Sequence, residues 1–178
     1  MKSNLAKALK QVALGGVLAA AATGSFAATQ GTTGFTSVGD VDIFLTVSDE
    51  VRINNLVDIT LPPFAGADVV ADTDACVYRN GGATYNVTAT GSGAGNAFTL
   101  TDGTNTVPYT VTFDDGTGAT GMGSGTALGR TNATSTDDSC VTAGGDNATI
   151  EVTVTAADAT GLPQATYTGT LTLLVSPI

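Results

Sequence analysis

The feature of this 178-residue sequence that most constrains its fold is a repeated alternation of apolar and polar residues with a period of two. In TVPYTVTF (106–113), the valines, Tyr109 and Phe113 fall on one face, and the threonines and Pro108 fall on the other. Such alternation is typical of a strand with one buried and one solvated face. Sustained helical periodicity is missing after residue 27. The pattern predicts strands at 51–61, 83–90, 97–101, 106–113, 148–155 and 165–175.

Turn-forming residues separate these predicted strands, for example Asn-Gly-Gly at 80–82 and Asp-Gly at 102–103. Short strands joined by such turns predict an all-β fold, and we expect one antiparallel sandwich of immunoglobulin-like type. Pro108 has no N–H to donate, so it predicts a position at a sheet edge. Residues 114–147 are poor in apolar side chains, and we expect them to form one long mobile loop.

The first 27 residues have the composition of a secretory signal peptide. Three lysines precede a short run rich in Ala and Gly, and Ser25-Phe26-Ala27 provides small residues at a cleavage site. A membrane helix needs about 20 strongly apolar residues, so a retained N-terminal anchor is the less favoured alternative. We expect cleavage after Ala27, export of residues 28–178, and no membrane insertion afterwards.

Removal of this leader changes the charge of the chain. Three arginines then stand against sixteen acidic residues, which gives a net charge of −13, and no lysine remains. A chain with such a field repels polyanions, which argues against nucleic acid or an anionic membrane surface as a partner.

The two cysteines, Cys76 and Cys140, are predicted to form a disulfide, because an even cysteine count is typical of one in an exported chain. Closing a loop of about 65 residues contributes roughly 4 kcal/mol in the chain-entropy model. A metal-binding or redox pair is the alternative, but the sequence has neither CxxC spacing nor any histidine.

We expect no enzymatic activity, because the sequence offers no histidine and no free thiol for the usual pairs of nucleophile and base. The glycines at 116, 118 and 121 match a dinucleotide-binding fingerprint, but no helical pattern follows them, so we expect no cofactor. The paired acids lack the spacing of a calcium loop, and we expect them to be solvated rather than to bind a metal. These pairs are Asp72/Asp74, Asp114/Asp115 and Asp137/Asp138.

The most unusual alternation lies near the two ends of the predicted domain. GDVDIFLTV (39–47) alternates apolar and polar residues almost without interruption, and the same alternation extends back to Phe35. The alternating segment 35–47 is longer than the usual strand of about 5–6 residues. Burying its four apolar side chains in another subunit would contribute roughly 6–12 kcal/mol, at about 1.5–3 kcal/mol each. The predicted N-terminal face comprises Phe35, Val41, Ile43, Leu45 and Val47, and the matching C-terminal face comprises Leu171, Leu173 and Val175.

Over about residues 35–178, the order of strands and turns resembles the major subunits of chaperone–usher pili. The resemblance rests on CVYRNGGATYNVTATGSG, AFTL, VPYTVTF, a second cysteine before ATIEVTV, and a final ATYTGTLTLLV. It is nearest to the archaic and alpha-type branches and to spore-coat-U-like domains. In that family each subunit is an incomplete immunoglobulin-like sandwich, which the N-terminal extension of a neighbour completes by donating a strand.

The resemblance implies a signal peptide (1–27), an N-terminal extension with the donor strand (28–48) and a sandwich domain (49–178). It implies that Val41, Ile43, Leu45 and Val47 are donated, and that Leu171, Leu173 and Val175 line the acceptor groove. The expected product is a homopolymer at the bacterial surface, assembled by a periplasmic chaperone and an outer-membrane usher and serving adhesion or biofilm formation. The alternative is a self-contained secreted binding module for calcium or carbohydrate, in which the N-terminal strand pairs within its own domain.

Overall fold

A computed structural model describes residues 28–178, so the predicted signal peptide lies outside the described residues. The described chain divides into two units, residues 28–46 and residues 47–178, and each is described by itself. The division falls two residues before the end of the extension predicted at 28–48.

The larger unit is almost entirely β-structure, and the predicted all-β class is confirmed. Its non-strand elements are one 3₁₀ turn (Ala94–Asn96) and one helical turn, α1 (Ala156–Ala159). The strands are β1 (Val51–Asn54), β2 (Val69–Arg79), β3 (Tyr85–Gly91), β4 (Thr99–Thr101), β5 (Thr106–Pro108), β6 (Thr110–Asp114), β7 (Thr120–Gly121), β8 (Ala127–Arg130), β9 (Ala148–Val154) and β10 (Leu171–Pro177).

All strand pairs are antiparallel, and they form a five-stranded sheet, a three-stranded sheet and one hairpin. The five-stranded sheet has the order β1-β2-β9-β6-β7, the three-stranded sheet has the order β10-β3-β8, and β4 pairs with β5. An immunoglobulin sandwich has the sheets A-B-E-D and C-F-G. Here β1-β2-β9-β6 corresponds to A-B-E-D, and β3 and β10 correspond to C and F. Among residues 28–178, no strand occupies the position of G beside β10.

The core is built from the inward-facing alternate residues of both sheets. Tyr85 of β3, Phe113 of β6 and Ile150 of β9 are fully buried. The rings of Tyr85 and Phe113 meet edge to face, with centroids 6.5 Å apart. Each such side chain contributes about 1.5–3 kcal/mol through burial, so the alternation seen in the sequence is the main source of stability.

Two of the predicted strands are interrupted. The strand predicted at 51–61 ends at Asn54, because Asn55 has a left-handed backbone conformation (φ 64°) that an extended strand cannot continue through. The strand predicted at 106–113 divides at Tyr109, whose N–H donates to the carbonyl of Phe98 (2.9 Å). Pro108 lies in β5, which pairs only with β4, so it occupies an edge position.

The longest strand, β2, was not among the predicted ones. Its sequence VVADTDACVYR does not alternate cleanly, because Thr73 points inward and Cys76 points outward beneath a disulfide-linked loop. Both faces of β2 are therefore buried near residues 75–77, and a period of two is not visible there.

The expectation of one long mobile loop at 114–147 is wrong. This region contains β7 and β8, and it buries Asp115, Met122, Arg130 and Ala133. A buried ion pair, rather than apolar periodicity, orders the region, so the hydrophobic pattern gave no signal for it.

The cysteines Cys76 and Cys140 form a disulfide with a sulfur–sulfur distance of 2.00 Å, and both are fully buried. The bond joins the middle of β2 to the segment between β8 and β9.

The smaller unit, residues 28–46, contains one isolated antiparallel bridge and no strand. Thr29 and Asp40 exchange two backbone hydrogen bonds of 3.0 Å, which close residues 29–40 into a loop. Phe35 lies near the middle of this loop and is fully exposed. The alternating face predicted from 35 to 47 therefore does not run as one extended segment, and its regular part begins at Val41.

Candidate functional site

An open groove of about 720 Å³ exposes part of the core of the larger unit. One wall is the segment 56–61, which follows β1, and the other is the segment 166–173, which leads into β10. The floor is formed by side chains of the five-stranded sheet and the segments beside it. The floor residues are Thr73, Leu100, Tyr109, Ile150 and Val152.

The first wall presents an unpaired backbone edge. Among residues 28–178, no N–H or C=O group of 56–61 makes a hydrogen bond to another backbone group. The N–H of Val57 donates instead to the hydroxyl of Thr73 (3.0 Å), which fixes the start of this segment to β2. Ile59 and Leu61 are half-buried, whereas Val57 is 71% exposed. A row of free backbone groups beside apolar side chains is a template for pairing with another strand.

The second wall is the outer edge of the three-stranded sheet. Within the described residues, β10 pairs with β3 along one side only. Thr168, just before β10, is held to β4 by two backbone hydrogen bonds with Thr101 (2.8 and 2.9 Å). Leu171 and Leu173 are half-buried, and their side chains line the groove. The groove therefore lies at the position where strand G of an immunoglobulin sandwich would pair with β10.

Arg79, at the end of β2, links three chain segments at the end of the domain that lies away from the groove. Its guanidinium forms an ion pair with Asp49 (Nη2–Oδ2 2.5 Å) and donates to the carbonyls of Thr84 and Ile178, the latter at 3.0 Å. Arg79 is buried. Its hydrogen bonds, and secondarily its charge, hold the pKa of Asp49 below the usual value, although burial acts in the opposite direction.

Asn80 fixes the residues that lead into β1. Its side chain accepts a hydrogen bond from the N–H of Glu50 (2.8 Å) and donates to the carbonyl of Ser48 (2.8 Å). The backbone N–H of Asn80 also donates to the carbonyl of Glu50 (3.2 Å). Residues 48–50 therefore have a defined path along the end of β2.

The structure places the predicted site residues in three different settings. Leu171 and Leu173 line the groove, whereas Val175 packs against the core further along β10. The predicted donor face is exposed, with fractions of 73% or more. Its members are Val41, Ile43, Leu45 and Val47, and Phe35 is exposed in the loop.

Sequence reasoning missed the wall at 56–61 and the whole floor of the groove. The wall was predicted as the second half of a strand at 51–61. The Asn54-Asn55 dipeptide was the available signal, because asparagine tolerates the left-handed conformation that ends β1. The floor could not be found from sequence, because its residues come from four distant segments.

A second polar cluster lies on the other side of the sandwich, around Asp115 and Arg130. Asp115 is fully buried and pairs with Arg130 (Oδ1–Nη2 2.9 Å), so the expectation that the paired acids are solvated is wrong for this residue. Burial raises the pKa of Asp115, but the Thr117 hydroxyl, the Arg130 charge and the backbone N–H of Thr131 outweigh it and leave that pKa below the usual value.

The glycine pattern at 116–121 serves this cluster. Gly116 and Gly118 have positive φ angles (82° and 112°), which let the chain turn around Asp114, whose Oδ1 accepts both of their N–H groups (2.8 and 3.0 Å). Within residues 28–178, no three His, Cys, Asp or Glu side chains lie close enough together to hold a metal ion. In the same part of the chain, the helices are all too short or too polar to cross a membrane.

No protein-family model and no curated protein matches the chain. Solved structures with a similar backbone include a chain from a chaperone–tip adhesin complex of CFA/I fimbriae biogenesis, with a TM-score of 0.49 and 14% identity over 72% of this chain. Another is a mutant of the CFA/I adhesin CfaE from enterotoxigenic E. coli, with a TM-score of 0.47 and 13% identity over 68% of this chain. The chain spans 41% and 39% of the lengths of these two.

Proposed function

We propose that this protein is the structural subunit of an extracellular filament, in which residues 41–47 of one copy fill the groove of the next by donor-strand exchange. The observation that carries the proposal is the groove itself, because it combines an unpaired backbone edge at 56–61 with exposed and half-buried apolar side chains on its two walls, such as Val57 and Leu171, above a floor of core residues. A strand laid there gains main-chain hydrogen bonds and side-chain burial together, which is the physical basis of β-augmentation.

The dimensions of the donor segment fit the groove. A wall of six residues, 56–61, has five residue steps and is about 17 Å long at roughly 3.3 Å per step. The apolar residues at 41, 43, 45 and 47 span six residue steps, about 20 Å in an extended strand, so the donor covers the whole wall. All four point to the same side in that conformation, so one face of the donor meets the core.

Residues 41–47 are poorly placed to fill the groove of their own copy, because of the residue pairing that a fold-back would produce. Because residues 48–50 follow the end of β2, the shortest fold-back is a three-residue turn that pairs Val47 with Val51. Counting on, Ile43 would face Asn55, just past the end of β1, while residues 37–42 would face the groove wall. Those residues are Ser37, Val38, Gly39, Asp40, Val41 and Asp42, which offer little apolar surface.

The role we propose is structural rather than catalytic. Copies joined head to tail make a contact that does not close on itself, and such contacts produce fibres. A polymer of this kind on the bacterial surface, used in adhesion or biofilm formation, requires help during export, because the empty groove exposes apolar surface. A periplasmic chaperone and an outer-membrane usher are the partners we propose for that step.

The test is polymer formation by residues 28–178, followed by electron microscopy of negatively stained samples and by size-exclusion chromatography. We expect unbranched filaments from the wild type and only monomers from Ile43→Asp, because a carboxylate at the centre of the donor face would be buried without a partner. Val38→Asp is the matched control, since it adds the same charge to another exposed apolar residue of the extension.

We expect Val38→Asp to form filaments like those of the wild type. The proposal fails if the wild type remains a monodisperse, thermostable monomer, or if the two aspartate variants behave alike.

A further inference from the structure

The two outer faces of the sandwich differ sharply in charge. On the five-stranded sheet, Asp72 and Glu151 point outward directly opposite each other on neighbouring strands. Asp74 and Asp114 also point outward, as does Arg52, which forms an ion pair with Asp138. On the three-stranded sheet, none of the eight outward-pointing residues is charged. These eight, called the neutral face, are Asn86, Thr88, Thr90, Ala127, Gly129, Thr172, Leu174 and Ser176.

The neutral face is regular and open. β10 and β3 pair without a bulge over seven residue pairs, and β8 continues the sheet over four more. Thr88 lies at the centre, between Leu174 and Ala127. Leu174 is 63% exposed, and the threonine, serine and asparagine side chains around it offer both hydrogen-bond donors and acceptors.

Electrostatics restricts how two copies of such an acidic chain can approach each other. Residues 28–178 carry a net charge of −13, so contacts through acidic surfaces bring like charges together. With sheets about 10 Å apart, two sandwiches stacked through their neutral faces would hold their acidic faces about 30 Å from each other. That distance exceeds the Debye length of about 8 Å at physiological ionic strength several-fold.

We propose that the neutral face is a lateral contact surface for a second copy of this chain, through which neighbouring filaments associate side by side. The inference rests on the proposed filament, because one small contact is weak but a filament repeats it in every subunit, and repeated contacts act together. In the filament the donated strand would lie beside β10, so its outward residues Asp42, Phe44 and Thr46 would border the neutral face at that edge. Thr88 lies on β3, two strands away from the donated strand, so a charge there tests the lateral contact separately from the donated strand.

The test compares three variants by electron microscopy, scoring filament formation and bundling separately, with light scattering as a second measure of bundling. Thr88→Glu places a charge at the centre of the neutral face. Thr153→Glu is its match on the acidic face, because Thr153 is also a half-buried threonine on an interior strand, between Val70 and Thr110. Thr88→Gln has nearly the size of the glutamate without its charge.

We expect bundles from the wild type, Thr88→Gln and Thr153→Glu, and at least a tenfold loss of bundles from Thr88→Glu, with filament number and length unchanged in all four. Raising the salt concentration is expected to increase bundling, because it screens the remaining repulsion. The inference is overturned if wild-type filaments stay single across salt and protein concentrations, or if Thr88→Glu and Thr153→Glu reduce bundling equally. If the wild type forms no filaments, the proposed function and this inference both fail. If it forms only single, unbundled filaments, this inference alone fails.

Discussion

The two sides along which the sheets of the sandwich meet differ in structure. On one side, called the closed seam, Arg130 at the end of β8 reaches across to the other sheet and binds Asp115 and the carbonyl of Phe113 (3.1 Å). On the other side, called the open seam, the segment 56–61 and β10 leave a groove with unpaired backbone. The same sandwich therefore has one edge bridged by its own side chains and one edge whose backbone is unpaired within residues 28–178.

The groove is a local feature rather than a sign of a loosely packed domain. At the closed seam Arg130 is only 6% exposed, and its guanidinium lies 5.5 Å from the ring of Phe113. Asp115 also accepts hydrogen bonds from the backbone of Asn132 (3.1 Å) and from the hydroxyl of Thr117 (2.5 Å). The open seam has no comparable buried ion pair among the described residues.

The largest effect on stability is expected from opening the closed seam. Asp115→Asn removes the buried counter-charge of the Arg130 guanidinium and leaves only the more distant, partly exposed Asp114, which we expect to cost about 3–5 kcal/mol. For a domain of this size, that corresponds to a fall in Tm of roughly 10–20 °C. Thermal unfolding followed by circular dichroism measures it. Asp114→Asn, whose carboxylate is 40% exposed and 3.9 Å from Arg130, is the control and should change Tm little.

A smaller effect, in this case a gain in stability, is expected when a separate peptide fills the groove of the open seam. A peptide of residues 39–49, added to a chain that lacks residues 28–46, should raise Tm by occupying the groove. At a concentration one hundred times its dissociation constant, the gain is about 2.7 kcal/mol. The same peptide with Ile43→Asp should give no increase, and equal stabilisation by both peptides would show that the groove does not select the apolar face.

Lowering the pH is expected to weaken the closed seam and to leave the apolar groove largely unaffected. Because the pKa of Asp115 is lower in the folded protein than in the unfolded chain, its ion pair stabilises the fold fully above about pH 4, the usual value for a free aspartate. That contribution is lost as the pH falls through the lower pKa of the folded state. Tm measured from pH 6 to pH 2 should fall less steeply in Asp115→Asn than in the wild type, and parallel curves would contradict this.

The smallest effect is expected from Tyr85→Phe. The Tyr85 hydroxyl is 3.5 Å from Asp115 Oδ2, a long contact within an otherwise well-bonded carboxylate site. Removing it should cost only about 0.5–1 kcal/mol, because the ring remains to fill the core. Urea unfolding at neutral pH can resolve a change of that size, and a cost as large as that of Asp115→Asn would mean that the tyrosine is an essential member of the seam.

Much of the fold could be predicted from the alternation of apolar and polar residues. Strands β3, β4 and β9 lie within or nearly within predicted segments, because each has one buried and one solvated face. The prediction failed for β2, which is covered on both faces near its disulfide, and for residues 114–147, where the Asp115–Arg130 pair replaces an apolar pattern. Charged residues brought together from 15 positions apart carry no periodic signal.

The candidate site also has one part that could be predicted from the sequence and one part that could not. Sequence pattern alone indicated Leu171 and Leu173 on one wall and the apolar face of 41–47, because both are regular alternations. The opposite wall depends on the left-handed Asn55, which ends β1 and leaves 56–61 without backbone partners among residues 28–178. One-dimensional pattern therefore found the side chains, but it could not find the unpaired backbone.

Antiparallel strands with one buried face follow from the amino-acid pattern, because side-chain alternation and burial are properties of each strand separately. The strand position beside β10, which is empty within residues 28–178, and the Arg130–Asp115 pair at the opposite edge follow from the packing of the two sheets. Both depend on which segments become neighbours, and no single segment carries that information.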